Sequence, residues 1–190
     1  AARLEDLQRP QVDLVVAGER LADRFPALRE GGRIEDDRVE PLARRMEKDE
    51  GWTVALRADE QEPDSETEVY IADSMNEFGL WYRLAPITYL GGSLAGNGCI
   101  RDPLEPAALG SAILYGPRPG AYGATFGRLG AARAARAVGS ATDLAEALGD
   151  LLSPDRAARL AQAAWAVASD GAEVTERVVG MIRKIMDGEA

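Results

Sequence analysis

Apolar and polar residues alternate along the chain in short blocks. Short apolar runs bounded by glycine or charged residues predict β-strands at residues 12–17, 52–57, 69–73, 86–92, 111–117 and, more weakly, 135–138. Apolar residues at helical spacing predict helices at residues 37–50, 74–85 and 142–152, one between residue 122 and the strand at 135, and a short one at 103–110. Residues 154–186 are predicted to form one or two further helices. Strands that alternate with helices predict a doubly wound α/β fold, in which helices cover both faces of a parallel sheet.

The helix after the third strand carries a signal for its first residue. Ser74 is followed three residues later by Glu77, which is the spacing of a capping box. We therefore predict that Ser74 caps this helix.

Three turns follow predicted strands, at residues 73–77, 91–94 and 116–117. In an open parallel sheet, the carboxyl ends of the strands share one edge, and ligands bind beyond that edge. We expect the three turns to converge there. The motif Gly91-Gly92 either forms a plain tight turn or brings backbone N–H groups close to an anion.

Glu105 has two interpretations as well. It lies in the first turn of the predicted short helix, between Pro103 and Pro106. Its carboxylate either complements the helix dipole or accepts hydrogen bonds from the two hydroxyls of a ribose.

Composition narrows the class of protein. A chain of 190 residues with 46% hydrophobic residues suits one domain with a real core. A net charge of −10 disfavours nonspecific binding to nucleic acid or to acidic membranes. No apolar run reaches the roughly 18 residues that span a bilayer, and no signal peptide is visible. We predict a cytoplasmic chain without a membrane anchor of its own.

Histidine is absent and Cys99 is the single cysteine. The chain therefore has no Ser-His-Asp arrangement, no usual zinc site and no internal disulfide. We predict no metal and no cofactor. Cys99 is favoured as a passive thiol rather than a nucleophile, and Trp81 and Tyr82 are favoured as packing residues rather than platforms for a base.

Several motifs occur in a recognisable order. The segments ADSMNEFGLWYRLAPITYLGGSL, DPLEPAALGSAILYGP and ATDLAEALGDLLS resemble the C-terminal half of the Kdo (3-deoxy-D-manno-octulosonic acid) transferases, bacterial enzymes that add Kdo from CMP-Kdo to lipid A precursor. The resemblance implies a Rossmann-like domain that forms one half of a GT-B glycosyltransferase of lipopolysaccharide biosynthesis. We assign residues 1–190 to this single domain, with residues 154–190 as a C-terminal helical tail.

The resemblance also implies a nucleotide-sugar site. Ser74, Met75 and Glu77 would line the nucleotide pocket. The glycine pair and Ser93 would approach the phosphate or sugar, and Glu105 would hold the ribose. Arg101 and Asp102 stand where the family has His-Asn. The implied binding residues are Ser74, Met75, Glu77, Gly91, Gly92, Ser93, Arg101, Asp102 and Glu105.

No catalytic residue is implied in this chain, because the family's glutamate base, acceptor site and membrane anchor lie in its N-terminal half. Whether the chain is an enzyme by itself stays open. The implied partners are CMP-Kdo or another nucleotide sugar, and an N-terminal acceptor domain on the full-length or a separate chain. Any association with the inner membrane would come through segments outside this sequence.

Three hypotheses follow. The chain is the donor-binding domain of a Kdo-transferase-like enzyme, or a diverged non-catalytic relative that serves as a binding or regulatory module. The third hypothesis is a plain α/β protein whose glycines are structural.

Overall fold

The structure is a computed structural model, and it describes residues 13–16, 36–49, 51–57, 62–72, 77–95, 97–170 and 172–186. The strands are β1 (Asp13–Val16), β2 (Val54–Leu56), β3 (Val69–Ala72), β4 (Ile87–Tyr89), β5 (Ala112–Tyr115) and β6 (Ala135–Ala137). The helices are α1 (Asp36–Asp49), α2 (Phe78–Leu84), α3 (Leu104–Ala108), α4 (Gly123–Ala131), α5 (Ala141–Leu151), α6 (Pro154–Ser169) and α7 (Ala172–Met186). A 3-10 turn at Gly120–Tyr122 leads into α4.

The strands form two three-stranded sheets, with the orders β1-β3-β2 and β4-β5-β6. The pairs β2–β3, β4–β5 and β5–β6 are parallel. The predicted α/β fold is thereby confirmed. It departs from the expected parallel sheet in two ways: the strands form two sheets instead of one, and β1 pairs antiparallel with β3. An antiparallel strand at the edge of an otherwise parallel sheet is a common arrangement.

Helices cover both faces of the first sheet. Successive side chains of a strand point to opposite faces. On β3, Val69 and Ile71 accordingly pack in one cluster with Val39 and Ala43 of α1. Tyr70 and Ala72 pack in another cluster, against Trp81 of α2.

The second sheet repeats this arrangement. Ile113 of β5 packs in a cluster with residues of α3 and α4, whereas its neighbours Ala112 and Leu114 pack with residues of α5. Helix α6 contributes Ala164 to the first of these clusters and Ala157 and Ala161 to the second. The start of the predicted C-terminal helical segment is therefore part of the core. No helix within the described ranges combines the length and the apolar character that crossing a membrane requires.

Two glycine-bearing loops lie beyond the carboxyl ends of β4 and β5, and their backbones are in direct contact. Ser93 Oγ accepts a hydrogen bond from the Gly116 N–H at 2.8 Å and donates one to the Leu90 carbonyl. The Ser93 carbonyl accepts a hydrogen bond from the Arg118 N–H at 2.7 Å, and the Arg118 carbonyl accepts one from the Cys99 N–H at 3.1 Å. We call these contacts between residues 90–99 and 116–120 the glycine interlock.

Four of its glycines, Gly92, Gly98, Gly116 and Gly120, leave no space for a side chain. A Cβ on Gly116 would overlap the backbone of Ser93 and Leu94. A Cβ on Gly98, whose φ is +121°, would lie 2.7 Å from the Gly120 Cα. The close approach that the sequence suggested is therefore made, at these positions, to the protein's own main chain.

The interlock makes a prediction about stability. Gly116→Ala should lower the free energy of unfolding by about 2 kcal/mol, because the added methyl group must displace backbone rather than a flexible side chain. Urea denaturation followed by circular dichroism measures the change.

The matched control is Gly127→Ala, since Gly127 lies inside α4 with no atom within 4 Å of the added Cβ. It should raise stability by about 0.5 kcal/mol, through helix propensity alone. Equal effects at the two glycines would show that residues 93–94 and 116 are not in contact.

Candidate functional site

An open cleft lies between α2 and α3. It has a volume of about 420 Å³ and is lined by Phe78, Gly79, Tyr82, Arg101, Glu105, Ala108 and Leu109. Its two walls depend on different sheets. Helix α2 packs on β3 through Trp81, whereas α3 packs beside β5 through Ala107.

The Glu105 wall is rigid for local reasons. Asp102 Oδ1 accepts a hydrogen bond from the Leu104 N–H at 2.9 Å, which satisfies one of the free donors at the start of α3. The side chains of Pro103 and Pro106 are fully buried. Glu105 lies between these two anchored rings, and it is exposed and lines the cleft.

Arg101 lies against the opposite wall. Its guanidinium carbon is 3.6 Å from the centroid of the Phe78 ring, which is cation–π geometry. The residue is half-buried and also lines the cleft. A positive group and a carboxylate, those of Arg101 and Glu105, thus share one cavity with apolar surface from both helices.

Glu77 makes a different contact from the one expected. Its two carboxylate oxygens accept hydrogen bonds from Nε and Nη2 of Arg57 at 3.0 and 2.8 Å. The hydrogen bonds with Glu77, and with Tyr70 after it, raise the pKa of Arg57. Glu77 is itself the N-cap residue of α2 and makes no side-chain capping bond. The prediction that Ser74 caps this helix is therefore wrong, because the N-cap is Glu77, three residues later, and α2 begins at Phe78.

The glycine motif lies away from the cleft lining. Gly92 is buried beside Gly98, and Ser93 is fully buried within the glycine interlock. Gly91 is half-buried. None of the three is among the lining residues. Ser74 and Met75 lie outside the described residues.

Cys99 is buried, and its thiol donates a hydrogen bond to the Arg101 carbonyl at 3.1 Å. Burial raises the pKa of the thiol, and the negative charge of Asp102 acts in the same direction. Burial also raises the pKa of Tyr122, again with a contribution from Asp102. Both shifts disfavour the negatively charged forms of Cys99 and Tyr122. The shift at Cys99 agrees with its interpretation as a passive thiol.

Comparison with known proteins shows which proteins the chain resembles. The chain is 26% identical over 142 residues to the 3-deoxy-D-manno-octulosonic acid transferase of Haemophilus influenzae, an alignment that covers 74% of this chain and 33% of that protein. It also matches the crystal structure of the C-terminal CMP-Kdo binding domain of WaaA from Acinetobacter baumannii. That match has a TM-score of 0.62 at 27% identity, and covers 69% of this chain and 68% of the other.

The chain is therefore similar to the Kdo transferases. The Rossmann-like fold that the resemblance implied, one half of a GT-B glycosyltransferase, is confirmed by the structural match. No protein-family model matches the chain. The chain spans about a third of the length of the curated Kdo transferase.

The structure brings together only part of the residue set that the resemblance implied. Arg101 and Glu105 line one cleft. Asp102 does not line it, but its carboxylate accepts a hydrogen bond at the start of α3, the helix that carries Glu105. Glu77 adjoins the cleft through Phe78, but its carboxylate contacts Arg57.

The sequence motifs did not point to Phe78, Leu109 or Arg57. Phe78 and Leu109 read as ordinary packing residues in the sequence, because nothing in an apolar pattern distinguishes a cleft wall from a core. Arg57 is the last residue of the predicted second strand and directly follows the observed β2. A charge at the carboxyl end of a strand is a signal that could have drawn attention to it. Trp81 packs on Tyr70 with ring centroids 5.4 Å apart, as predicted for a packing residue.

The buried environment of Cys99 predicts slow alkylation of its thiol. Since its pKa is raised, the thiolate fraction near neutral pH is below that of a free cysteine, and we expect iodoacetamide to react at least about tenfold more slowly with the folded protein than with the unfolded chain. The alkylation rate should still be rising with pH above the usual pKa range of thiols.

The raised pKa of Cys99 also makes stability depend on pH. Because the folded-state pKa exceeds the unfolded one, this thiol stabilises the fold fully below the unfolded pKa, and that contribution is lost as the pH rises through the folded pKa.

Mass spectrometry of alkylated protein, with and without urea, measures both rates. Equal rates in the two states would show that Cys99 is accessible and contradict its burial.

Proposed function

We propose that this chain is the donor-binding domain of a Kdo-transferase-like glycosyltransferase, and that it binds CMP-Kdo or a closely related nucleotide sugar. The observation that carries the proposal is the match to the CMP-Kdo binding domain of WaaA, over more than two thirds of both chains. The curated relative is likewise a Kdo transferase. These matches favour donor binding over the alternative of a diverged binding or regulatory module.

The chemistry of the cleft supports this assignment. A carboxylate accepts hydrogen bonds only, and an exposed, rigidly held one such as Glu105 suits a pair of ribose hydroxyls. A guanidinium binds phosphate or carboxylate through two parallel hydrogen bonds. Arg101 therefore suits an anionic part of a nucleotide sugar. The apolar surface of Phe78 and Leu109 completes a site with few polar groups, which is typical of small-molecule pockets.

The predicted binding residues remain proposals with different roles. We assign direct contact to Arg101 and Glu105 and support of α3 to Asp102. The residues of the glycine interlock hold the loops from which Arg101 extends. We also propose that residues 1–190 form one domain.

Transfer of the sugar requires an acceptor and a general base, both fixed near the donor. We propose that these come from a further domain, on the same or a separate polypeptide, as the length of the curated relative suggests. Residues 1–190 by themselves should then bind the donor without transferring the sugar. The single cysteine agrees with a reducing compartment, and we place the domain on the cytoplasmic side of the inner membrane.

Glu105 provides the direct test. Glu105→Gln should weaken CMP binding about ten- to hundredfold, because a hydrogen bond to a charged group is lost while the volume of the side chain is kept. Isothermal titration calorimetry with CMP, and separately with CMP-Kdo, measures the affinities.

Asp155→Asn is the matched control. Asp155 is also an exposed carboxylate in the first turn of a helix, in α6, where Pro154 occupies the first position. If Glu105 only complements a helix dipole, both variants will leave the affinity unchanged and lower stability by a few tenths of a kcal/mol. Absence of any heat with CMP and with CMP-Kdo for the unmodified protein would overturn the proposed function itself.

A further inference from the structure

Arg57 connects the first sheet to the beginning of α2. It follows β2 directly, and its guanidinium holds both carboxylate oxygens of Glu77 at 3.0 and 2.8 Å. The two side chains are 36% and 30% exposed, so the pair is only partly open to water. Two parallel hydrogen bonds between charged groups define direction as well as distance. Arg57 therefore determines where Glu77 lies relative to β2.

Helix α2 needs such a constraint. It has seven residues and no side-chain cap, and a helix this short is not stable in isolation. Its first turn depends on the Glu77 carbonyl, which accepts hydrogen bonds from the N–H groups of Leu80 and Trp81 at 2.9 and 3.2 Å. The same residue thus starts the helix with its main chain and contacts Arg57 with its side chain.

The face of α2 that does not contact the sheet forms a wall of the cleft. Trp81 faces Tyr70 of β3, whereas Phe78 and Tyr82 line the cleft. Phe78 directly follows Glu77, and its ring lies under the guanidinium of Arg101. A displacement at Glu77 would therefore pass to Phe78 and on to Arg101.

We propose that Arg57 is a positioning residue for the cleft: by holding Glu77, it fixes the start of α2 and so places Phe78 and Arg101 on the wall of the cavity that Glu105 also lines. Arg57 acts through Glu77 and does not contact the ligand. The effect on affinity rests on the proposed function, since it assumes that the cleft binds a nucleotide. The effect on α2 does not.

The first measurement needs no ligand. In Arg57→Gln, amide hydrogen exchange in α2, read at Leu80, Trp81 and Ala85, should become about tenfold faster, because the start of the helix loses its attachment. The amides of α5 serve as an internal reference and should keep their rates. Arg44→Gln is the matched control. It breaks an exposed Arg–Glu pair on α1, in which the nitrogen and oxygen are 2.7 Å apart, and Arg44 does not line the cleft. It should leave α2 unchanged.

The second measurement is a double-mutant cycle with CMP. Arg57→Gln and Glu77→Gln should each weaken CMP binding about tenfold, and the double variant should bind no more weakly than the weaker single variant, because either change removes the same pair. Arg44→Gln should bind as the unmodified protein does. Arg57→Lys, which keeps the charge but not the two-pronged geometry, should fall between the unmodified protein and Arg57→Gln.

The outcomes separate the positioning role of Arg57 from the proposed function of the cleft. Unchanged exchange in α2 overturns the positioning role, whatever happens to CMP. Additive losses in the cycle, or a loss in Glu77→Gln alone, overturn it as well, since they assign the Glu77 carboxylate to the ligand. Faster exchange confined to α2, in a protein that binds neither CMP nor CMP-Kdo, supports Arg57 as the positioning residue for this wall and overturns the proposed function instead.

Discussion

The architecture at the carboxyl ends of β4 and β5 depends on main chain packed against main chain. Ser93 connects the two loops through three hydrogen bonds, since its side chain bonds Leu90 and Gly116 and its carbonyl bonds Arg118. Such contacts are possible only where Cβ atoms are absent, as at Gly116 and Gly98. The loop that carries Arg101 and Asp102 leaves this interlock directly. This part of the cleft therefore takes its position from a contact between main-chain segments.

The cleft also depends on a relation between the two sheets. Its Glu105 wall is anchored through buried proline rings and Ala107 in the second sheet's core. Its Phe78 wall is anchored to the first sheet through Trp81 and through the pair of Arg57 with Glu77. A site assembled in this way is sensitive to small shifts of either helix, because rigid elements transmit displacement rather than absorbing it.

Local patterns were informative where local physics decides the outcome. The strands and helices follow from the spacing of apolar residues, because side-chain direction repeats with the backbone geometry. The short helix bearing Glu105 was predicted for a similar reason, since prolines at residues 103 and 106 restrict the backbone wherever they occur. The position of the first residue of α2 was missed. Ser74 and Glu77 have the spacing of a capping box, yet Glu77 is held by a residue twenty positions earlier in the chain.

The sequence by itself determined the order of the elements, the α/β class, the resemblance to the Kdo transferases, and the placement of an acid at the start of a rigid short helix. These properties depend on neighbours within a few positions, or on motifs that survive in order. Only the tertiary structure decided what the glycines approach and which partner Glu77 takes. A glycine permits close approach without specifying to what, and a carboxylate binds whichever donor the fold brings within reach, so both answers required the three-dimensional arrangement of distant segments.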